Sequence, residues 1–162
     1  MKRQAFTLIE AVFSMLLVSV LLVVALNTAG ASARLQSHGS DRGRGQLLAQ
    51  ALMSEILLQA YQDTGPNPTF GPKPSEITTP PSRVNFSDVD DYNGWTESPP
   101  QYKNGSVIPN WTGWGRSVKV VWVNSTNLAT SQASETNIKL ITITVTHNNT
   151  TVATCVAIKA NN

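Results

Sequence analysis

The chain of 162 residues has little cysteine and little histidine, and each scarcity excludes a class of site. Cys155 is its single cysteine, so an intramolecular disulfide is excluded. His38 and His147 are its two histidines and lie far apart, so they form neither a zinc-spaced pair nor a Ser/His/Asp or Cys/His arrangement. The sequence therefore predicts a protein that is not an enzyme and that requires no cofactor.

The chain also has little net charge. Lys and Arg number 12 against 10 Asp and Glu, which gives a formal net charge of +2. Lys2 and Arg3 account for this excess, because a chain that begins at Phe6 keeps 10 cations and 10 anions. A neutral body with scattered charges gives no reason to propose nucleic acid as a partner.

One long apolar run stands at the N-terminus, over residues 6–26. A helix rises about 1.5 Å per residue, so this run is long enough for a hydrocarbon core of about 30 Å. Lys2 and Arg3 precede it, which predicts a single pass with a cytoplasmic N-terminus and the rest of the chain outside. Glu10 is the only formal charge between residues 4 and 33. This carboxylate is therefore the feature to explain.

Two general interpretations account for the apolar run, but neither explains Glu10. In a plain membrane anchor, an acid at mid-bilayer costs about 2.5–3.5 kcal/mol, and less where it reaches water at the interface. In a secretory signal peptide, Ala31-Ser32-Ala33 is an A-x-A cleavage site, and cleavage after Ala33 would release an exported soluble periplasmic binding protein. The run is longer than the usual signal-peptide core of about 7–15 residues, and it contains an acid.

A third interpretation rests on a resemblance. The basic leader, the small residue Ala5 and the string Phe6-Thr7-Leu8-Ile9-Glu10 before a long apolar helix resemble the N-termini of type IV prepilins and type II secretion pseudopilins. The resemblance implies that a prepilin peptidase cuts between Ala5 and Phe6, removes residues 1–5 and methylates the nitrogen of Phe6. The family nearly always has Gly where this chain has Ala5; Ala keeps the site small, so we expect slower cleavage.

The resemblance also gives Glu10 a partner. The freed ammonium of Phe6 in one subunit and the carboxylate of Glu10 in its neighbour would neutralise each other in low dielectric, which would set the assembly register. The implied function is a structural subunit of a type IV pilus or a type II secretion pseudopilus. We expect a minor subunit, because the C-terminal disulfide loop common in major pilins is impossible with one cysteine.

The implied partners and location follow from that function. The partners would be other pilin or pseudopilin subunits, the prepilin peptidase, the inner-membrane assembly platform and membrane lipid. The chain would first lie in the inner membrane with a periplasmic head, and then in a filament that is periplasmic or at the cell surface.

The sequence predicts four regions: a leader at 1–5, a transmembrane and assembly helix at 6–33, a helical continuation at 34–62, and a loop-rich β head at 63–162. Glycines at positions 39, 43 and 45 predict a break near 39–45, either a kink or a solvated break, since each costs a helix about 1 kcal/mol against Ala. From residue 46 to 62, apolar residues at spacings of three and four, Leu47 and Leu58 among them, predict an amphipathic helix with Glu55 largely on the opposite, polar face.

The C-terminal third predicts strands. β-branched and alternating patterns mark residues 117–123, 137–146 and 150–159, and a turn signal lies at 147–149. Alternation puts Lys139, Ile141, Ile143 and Val145 on one side of the middle strand. The predicted fold class is α+β, with a long N-terminal helix, transmembrane and then amphipathic, packed on a small antiparallel sheet as in pilins.

An aspartate-rich loop precedes these strands. Asp88, Asp90, Asp91 and Asn93 supply hard oxygen ligands on a turn-prone backbone, so a Ca²⁺ site is one interpretation of this loop. Their spacing is not that of an EF-hand. The loop resembles that of minor pilin-like proteins of the mannose-sensitive haemagglutinin type. The alternative is an Asx-rich turn, in which the Asp side chains bond local amides.

Overall fold

A computed structural model describes residues 7–65 and 68–161 and shows an α+β protein, as predicted. A long N-terminal helix is followed by an antiparallel sheet. The elements are α1 (Leu8–Leu57), a 3-10 turn (Asp90–Tyr92), β1 (Thr96–Glu97), β2 (Trp114–Asn124), β3 (Asn127–Gln132), β4 (Ile138–His147) and β5 (Thr150–Ala160). Ala5 and Phe6, where cleavage and methylation are predicted, lie outside the described residues.

The five strands form one sheet in the order β1-β2-β4-β5, and β3 pairs with β2 on a separate branch. The predicted turn between β4 and β5 is confirmed: Asn148 and Asn149 have φ values of 48° and 62°, the left-handed pair that a two-residue hairpin turn uses. The predicted alternation in β4 is also confirmed, because Lys139, Ile141 and Ile143 are all buried.

The chain divides into two compact units, Met1–Ser40 and Asp41–Asn162. The second unit holds the hydrophobic core, in which Leu52 and Ile56 of α1 pack with Val120 of β2 and Ile141 and Ile143 of β4. The amphipathic part of α1 therefore belongs to the head. The residues predicted to form its apolar face are only partly buried, since Leu47 in the helix and Leu58 just after it are 65% and 85% exposed.

The structure differs from the prediction at residues 39–45, where α1 continues without a break. Glycine lowers helix propensity but keeps its backbone hydrogen bonds, so three glycines do not by themselves end a helix. Gly45 also has a packing role. A Cβ at this position would lie 2.8 Å from Cγ2 of Val152 and 3.1 Å from Cβ of Ala153, so glycine permits the close approach of α1 to β5.

The helix also ends earlier than predicted, at Leu57 instead of residue 62. The backbone of Ala60 turns away and forms a parallel bridge with Asp88. The amide of Ala60 donates to the carbonyl of Ser87 at 3.3 Å, and the amide of Val89 donates to the carbonyl of Ala60 at 3.0 Å. Pairing with the aspartate-rich loop thus replaces the last helical turn.

Candidate functional site

The N-terminal half of α1 is apolar on all sides. From residue 7 to residue 40 every described side chain is exposed, including Leu16, Leu17 and Leu21 at 58%, 60% and 68%. Among the described residues, α1 is the one helix long and apolar enough to cross a membrane, with a mean hydropathy of 2.7 in its most apolar window and none of that window buried. An all-round apolar helix is typical of a segment that lipid or other helices cover.

Three hydroxyl groups of this segment bond to its own backbone. Ser14 Oγ donates to the carbonyl of Glu10 at 2.8 Å, Ser19 Oγ donates to that of Met15 at 2.7 Å, and Thr28 Oγ1 donates to that of Val24 at 2.8 Å. A polar group that has no hydrogen-bond partner in hydrocarbon is destabilising by roughly several kcal/mol. These three side chains therefore do not oppose membrane insertion.

Glu10 lies in the first turn of α1, and its side chain is exposed. Its amide donates to the carbonyl of Thr7 at 3.1 Å and approaches Thr7 Oγ1 at 3.4 Å, so Thr7 caps the helix. A carboxylate in the first turn also interacts favourably with the helix dipole. Within the described residues the Glu10 carboxylate has no hydrogen-bond or ion-pair partner.

The predicted Ca²⁺ ligands come together in a buried loop around the 3-10 turn, and Asp88, Asp90 and Asp91 are each at most 1% exposed. Asp88 Oδ1 accepts the amides of Asp90 and Asp91 at 2.9 and 3.3 Å. Asp91 Oδ2 accepts the amides of Ser87 and Asp88 at 2.8 and 3.1 Å. These are the local bonds of an Asx-rich turn.

The other two predicted ligands bond to more distant elements. Asp90 forms a buried ion pair with Lys139 of β4 through Oδ1, and its Oδ2 accepts the amide of Gly71 at 2.9 Å. Asn93 Oδ1 accepts the amide of Val120 at 3.0 Å. The loop is thus tied to β2 and β4 by the side chains that were predicted to hold a metal.

These contacts do not fit a Ca²⁺ site. In residues 7–65 and 68–161, no group of three or more His, Cys, Asp or Glu side chains is arranged to hold a metal ion. Lys139 already supplies a cation to Asp90. The oxygens without a described partner in this loop are Asp88 Oδ2 and Asp91 Oδ1, whereas Ca²⁺ takes about six to eight oxygen ligands. The arrangement is that of the Asx-rich alternative.

Burial changes the ionisation of this loop. It raises the pKa of Asp88 to about 8, and a hydrogen bond with Asp90 and the charges of Asp90 and Asp91 act in the same direction. Burial also raises the pKa of Asp91, although the amides of Ser87 and Asp88 oppose that shift by bonding to the carboxylate. The loop therefore favours a proton on Asp88 in the neutral range.

A second buried charge cluster, not predicted from sequence, ties α1 to the loops. Glu97 of β1 pairs with both Arg83 and Arg116, and it also accepts the indole N–H of Trp95 at 3.0 Å. Arg83 Nε donates to Glu55 of α1 at 2.9 Å. The positive charges of Arg83 and Arg116 balance the negative charges of Glu55 and Glu97. Burial lowers the pKa of Arg116 despite the opposing effect of Glu97.

This cluster had no local signal in the sequence. Glu55 lies on the helix face predicted to be polar, and Arg83 lies in a proline-rich loop 28 residues away. Only the tertiary fold brings them together.

Comparison of the chain with family models, curated proteins and solved structures gives no match. The resemblance to prepilins therefore rests on the residues of the N-terminal motif alone.

Proposed function

We propose that this chain is a structural filament subunit, a minor component of a type IV pilus or a type II secretion pseudopilus. In this proposal residues 6–26 hold it in the inner membrane, and α1 then packs with the helices of other subunits. The observation that carries the proposal is the continuity of α1: one helix of 50 residues contains the exposed apolar segment, the lone Glu10 and the buried face of the head.

The exposed apolar segment supports the proposal, because every described side chain from residue 7 to residue 40 is exposed. Apolar side chains surround the helix, from Leu8 at 85% exposure to Leu26 at 65%. Such a surface is stable in lipid or against other apolar helices. A filament of packed helices would supply the second environment after the membrane supplies the first.

Glu10 supports the proposal as the one charged residue of that surface. A lone carboxylate on an apolar helix is destabilising in a low-dielectric environment unless it pairs with a cation. The prepilin motif would create such a cation, since cleavage after Ala5 frees the amino group of Phe6. A contact between Glu10 of one subunit and Phe6 of the next would fix the stagger between neighbouring helices.

The alternative is an exported soluble protein that is released by signal-peptide cleavage after Ala33. One observation favours it: no described residue before Asp41 is even partly buried, so a product beginning at Arg34 would keep the whole buried core. The two proposals differ in whether the apolar segment remains on the mature chain.

The assembly role of Glu10 is tested with Glu10→Ala, and Ser14→Ala is the matched control one turn along the same helix. We expect both variants to insert into the membrane and to be processed as the wild type is. Glu10→Ala should then be absent from sheared filaments or purified pseudopili, whereas Ser14→Ala should be present. Normal incorporation of Glu10→Ala would contradict the proposed register.

A further inference from the structure

Lys139 of β4 and Asp90 of the aspartate-rich loop form a lysine–carboxylate pair in the interior of the head, and each residue is 1% exposed. Lys139 Nζ contacts Asp90 Oδ1 and also donates to the carbonyl of Tyr61 at 2.5 Å. It lies 4.1 Å from the centroid of the Tyr61 ring and 5.9 Å from that of the Phe70 ring. A primary amine nitrogen is therefore held beside a carboxyl carbon in an aromatic environment.

Burial and proximity both favour a reaction within this pair. Desolvation of two buried charges opposes much of the attraction between them. Condensation of the ammonium with the carboxylate would remove both charges from the interior and leave a neutral amide. Well-oriented groups in one molecule react with effective molarities of about 10⁵–10⁸ M. The fold thus supplies the orientation that amide formation needs.

Two neighbouring groups suit the chemistry of this step. Asp90 Oδ2 accepts the amide of Gly71 at 2.9 Å, and this N–H would stabilise the negative charge that develops on that oxygen. Asp88 Oδ1 accepts the amide of Asp90 at 2.9 Å. Burial, followed by a hydrogen bond with the Asp90 side chain, raises the pKa of Asp88 to about 8. Asp88 therefore carries a proton in the neutral range and can act as a general acid.

We propose that Lys139 and Asp90 condense to form an intramolecular isopeptide bond. Lys139 Nζ bonds to Cγ of Asp90, the bond from Cγ to Oδ1 breaks, and Oδ1 leaves as water with two protons that come from Nζ. Asp88 relays one of these protons and is regenerated. The step consumes no oxidant, cofactor or second substrate. Asp90 and Lys139 both line a partly open cavity of about 200 Å³, which gives the water an exit.

The bond would tie the aspartate-rich loop to β4 covalently across 49 residues of chain. Unlike the ion pair, it would persist when the protein is denatured. The reacting groups all lie in the head, so the proposal does not depend on the N-terminal motif. It holds equally for a filament subunit and for an exported soluble protein.

The test is tryptic peptide mapping of the full chain, purified in detergent and then denatured, by mass spectrometry. Trypsin should fail to cleave after Lys139. Residues 84–103 should be found joined to residues 120–159, at the summed mass of the two peptides less one water molecule. Fragmentation should locate the link at Asp90 and Lys139. Cleavage after Lys139 with both peptides at full mass would overturn the proposal, and so would a loss of water located at other residues.

Lys139→Arg and Lys159→Arg form a matched pair of variants. Lys139→Arg keeps a cation opposite Asp90, but a guanidinium stays protonated and does not attack the carboxyl carbon, so the link should be absent. Lys159 donates to the carbonyl of Leu57 at 3.0 Å, and Lys159→Arg should keep the link. A link that survives in Lys139→Arg would contradict the assignment of the nitrogen.

Asp88→Asn tests the proton relay. Asparagine can still accept the amide of Asp90 but has no acidic proton to pass on, so the link should form more slowly without being prevented. In cell-free synthesis into detergent micelles, the half-time of link formation should rise at least about tenfold over the wild type. An unchanged half-time would contradict the role of Asp88.

Discussion

Gly45 of α1 lies against Val152 of β5 so closely that a Cβ on the glycine would be 2.8 Å from Cγ2 of the valine. The same Cβ would be 3.1 Å from Cβ of Ala153 and 3.6 Å from the Trp114 ring. The Val152 side chain branches at Cβ and has few accessible rotamers, so it cannot easily move away from an added Cβ. The packing of the helix on the sheet therefore depends on glycine at this position.

Gly45→Ala should destabilise the head although alanine is the better helix former. The overpacking cost, typically about 1–3 kcal/mol, exceeds or equals the propensity gain of about 1 kcal/mol. Gly43→Ala is the matched control, because a Cβ there meets nothing within 4 Å. It should stabilise the protein by about 0.5–1 kcal/mol. Urea unfolding monitored by tryptophan fluorescence measures both changes; a stabilising Gly45→Ala would contradict the close contact.

Glu97→Gln should destabilise the head strongly. The carboxylate of Glu97 is the common partner of Arg83 and Arg116, and removing its charge leaves one excess positive charge in a buried cluster. Loss of one partner of a buried ion pair costs about 3–5 kcal/mol. The exposed Lys119→Met is the control and should change the free energy of unfolding little. A Glu97→Gln protein as stable as wild type would show that the cluster does not hold the loops to α1.

The raised pKa of Asp88 predicts the direction in which the free energy of unfolding changes with pH. Burial raises its pKa to about 8, whereas an unfolded Asp has a pKa of about 3.9. Between these values the folded protein holds a proton that the unfolded chain releases. The free energy of unfolding should therefore fall as the pH rises from about 4 to about 8, with a limiting slope of about 1.4 kcal/mol per pH unit from this group.

The measurement is the free energy of unfolding across this range in the presence of a chelator. Asp88→Asn should flatten the profile, because the amide cannot lose a proton while its oxygen can still accept the amides of Asp90 and Asp91. At pH 8 this variant should be more stable than the wild type. An unchanged slope in Asp88→Asn would place the titrating group elsewhere.

The sequence predicted the main elements because their patterns are local. Alternation in β4 placed Lys139 on the same face as Ile141, and both are buried. Two strands were missed. β1 has only two residues, and β3 has five of its six residues exposed, so neither carries an apolar alternation to detect. The break predicted at residues 39–45 was wrong because glycine propensity takes no account of packing, and Gly45 is held against β5.

The buried charges were less predictable. The sequence placed Asp88, Asp90 and Asp91 in one loop but could not show that Lys139, 49 residues further on, would pair with Asp90. Aspartates at these spacings suit either a metal or local amides, and only the backbone conformation decides between the two. Glu55 was likewise placed on the polar face of its helix. Its pairing with Arg83 could not be predicted, because the two residues become neighbours only in the folded chain.

The first residue of the mature chain tests the central claim most directly. Mass spectrometry of the protein purified from the membrane, filament and soluble fractions would identify that residue and any modification of it. The filament-subunit proposal predicts a chain that begins at N-methylated Phe6 and retains Glu10. A chain that begins at Arg34 would identify an exported soluble protein, and one that begins at Met1 would identify a plain membrane anchor; either result would contradict the proposal.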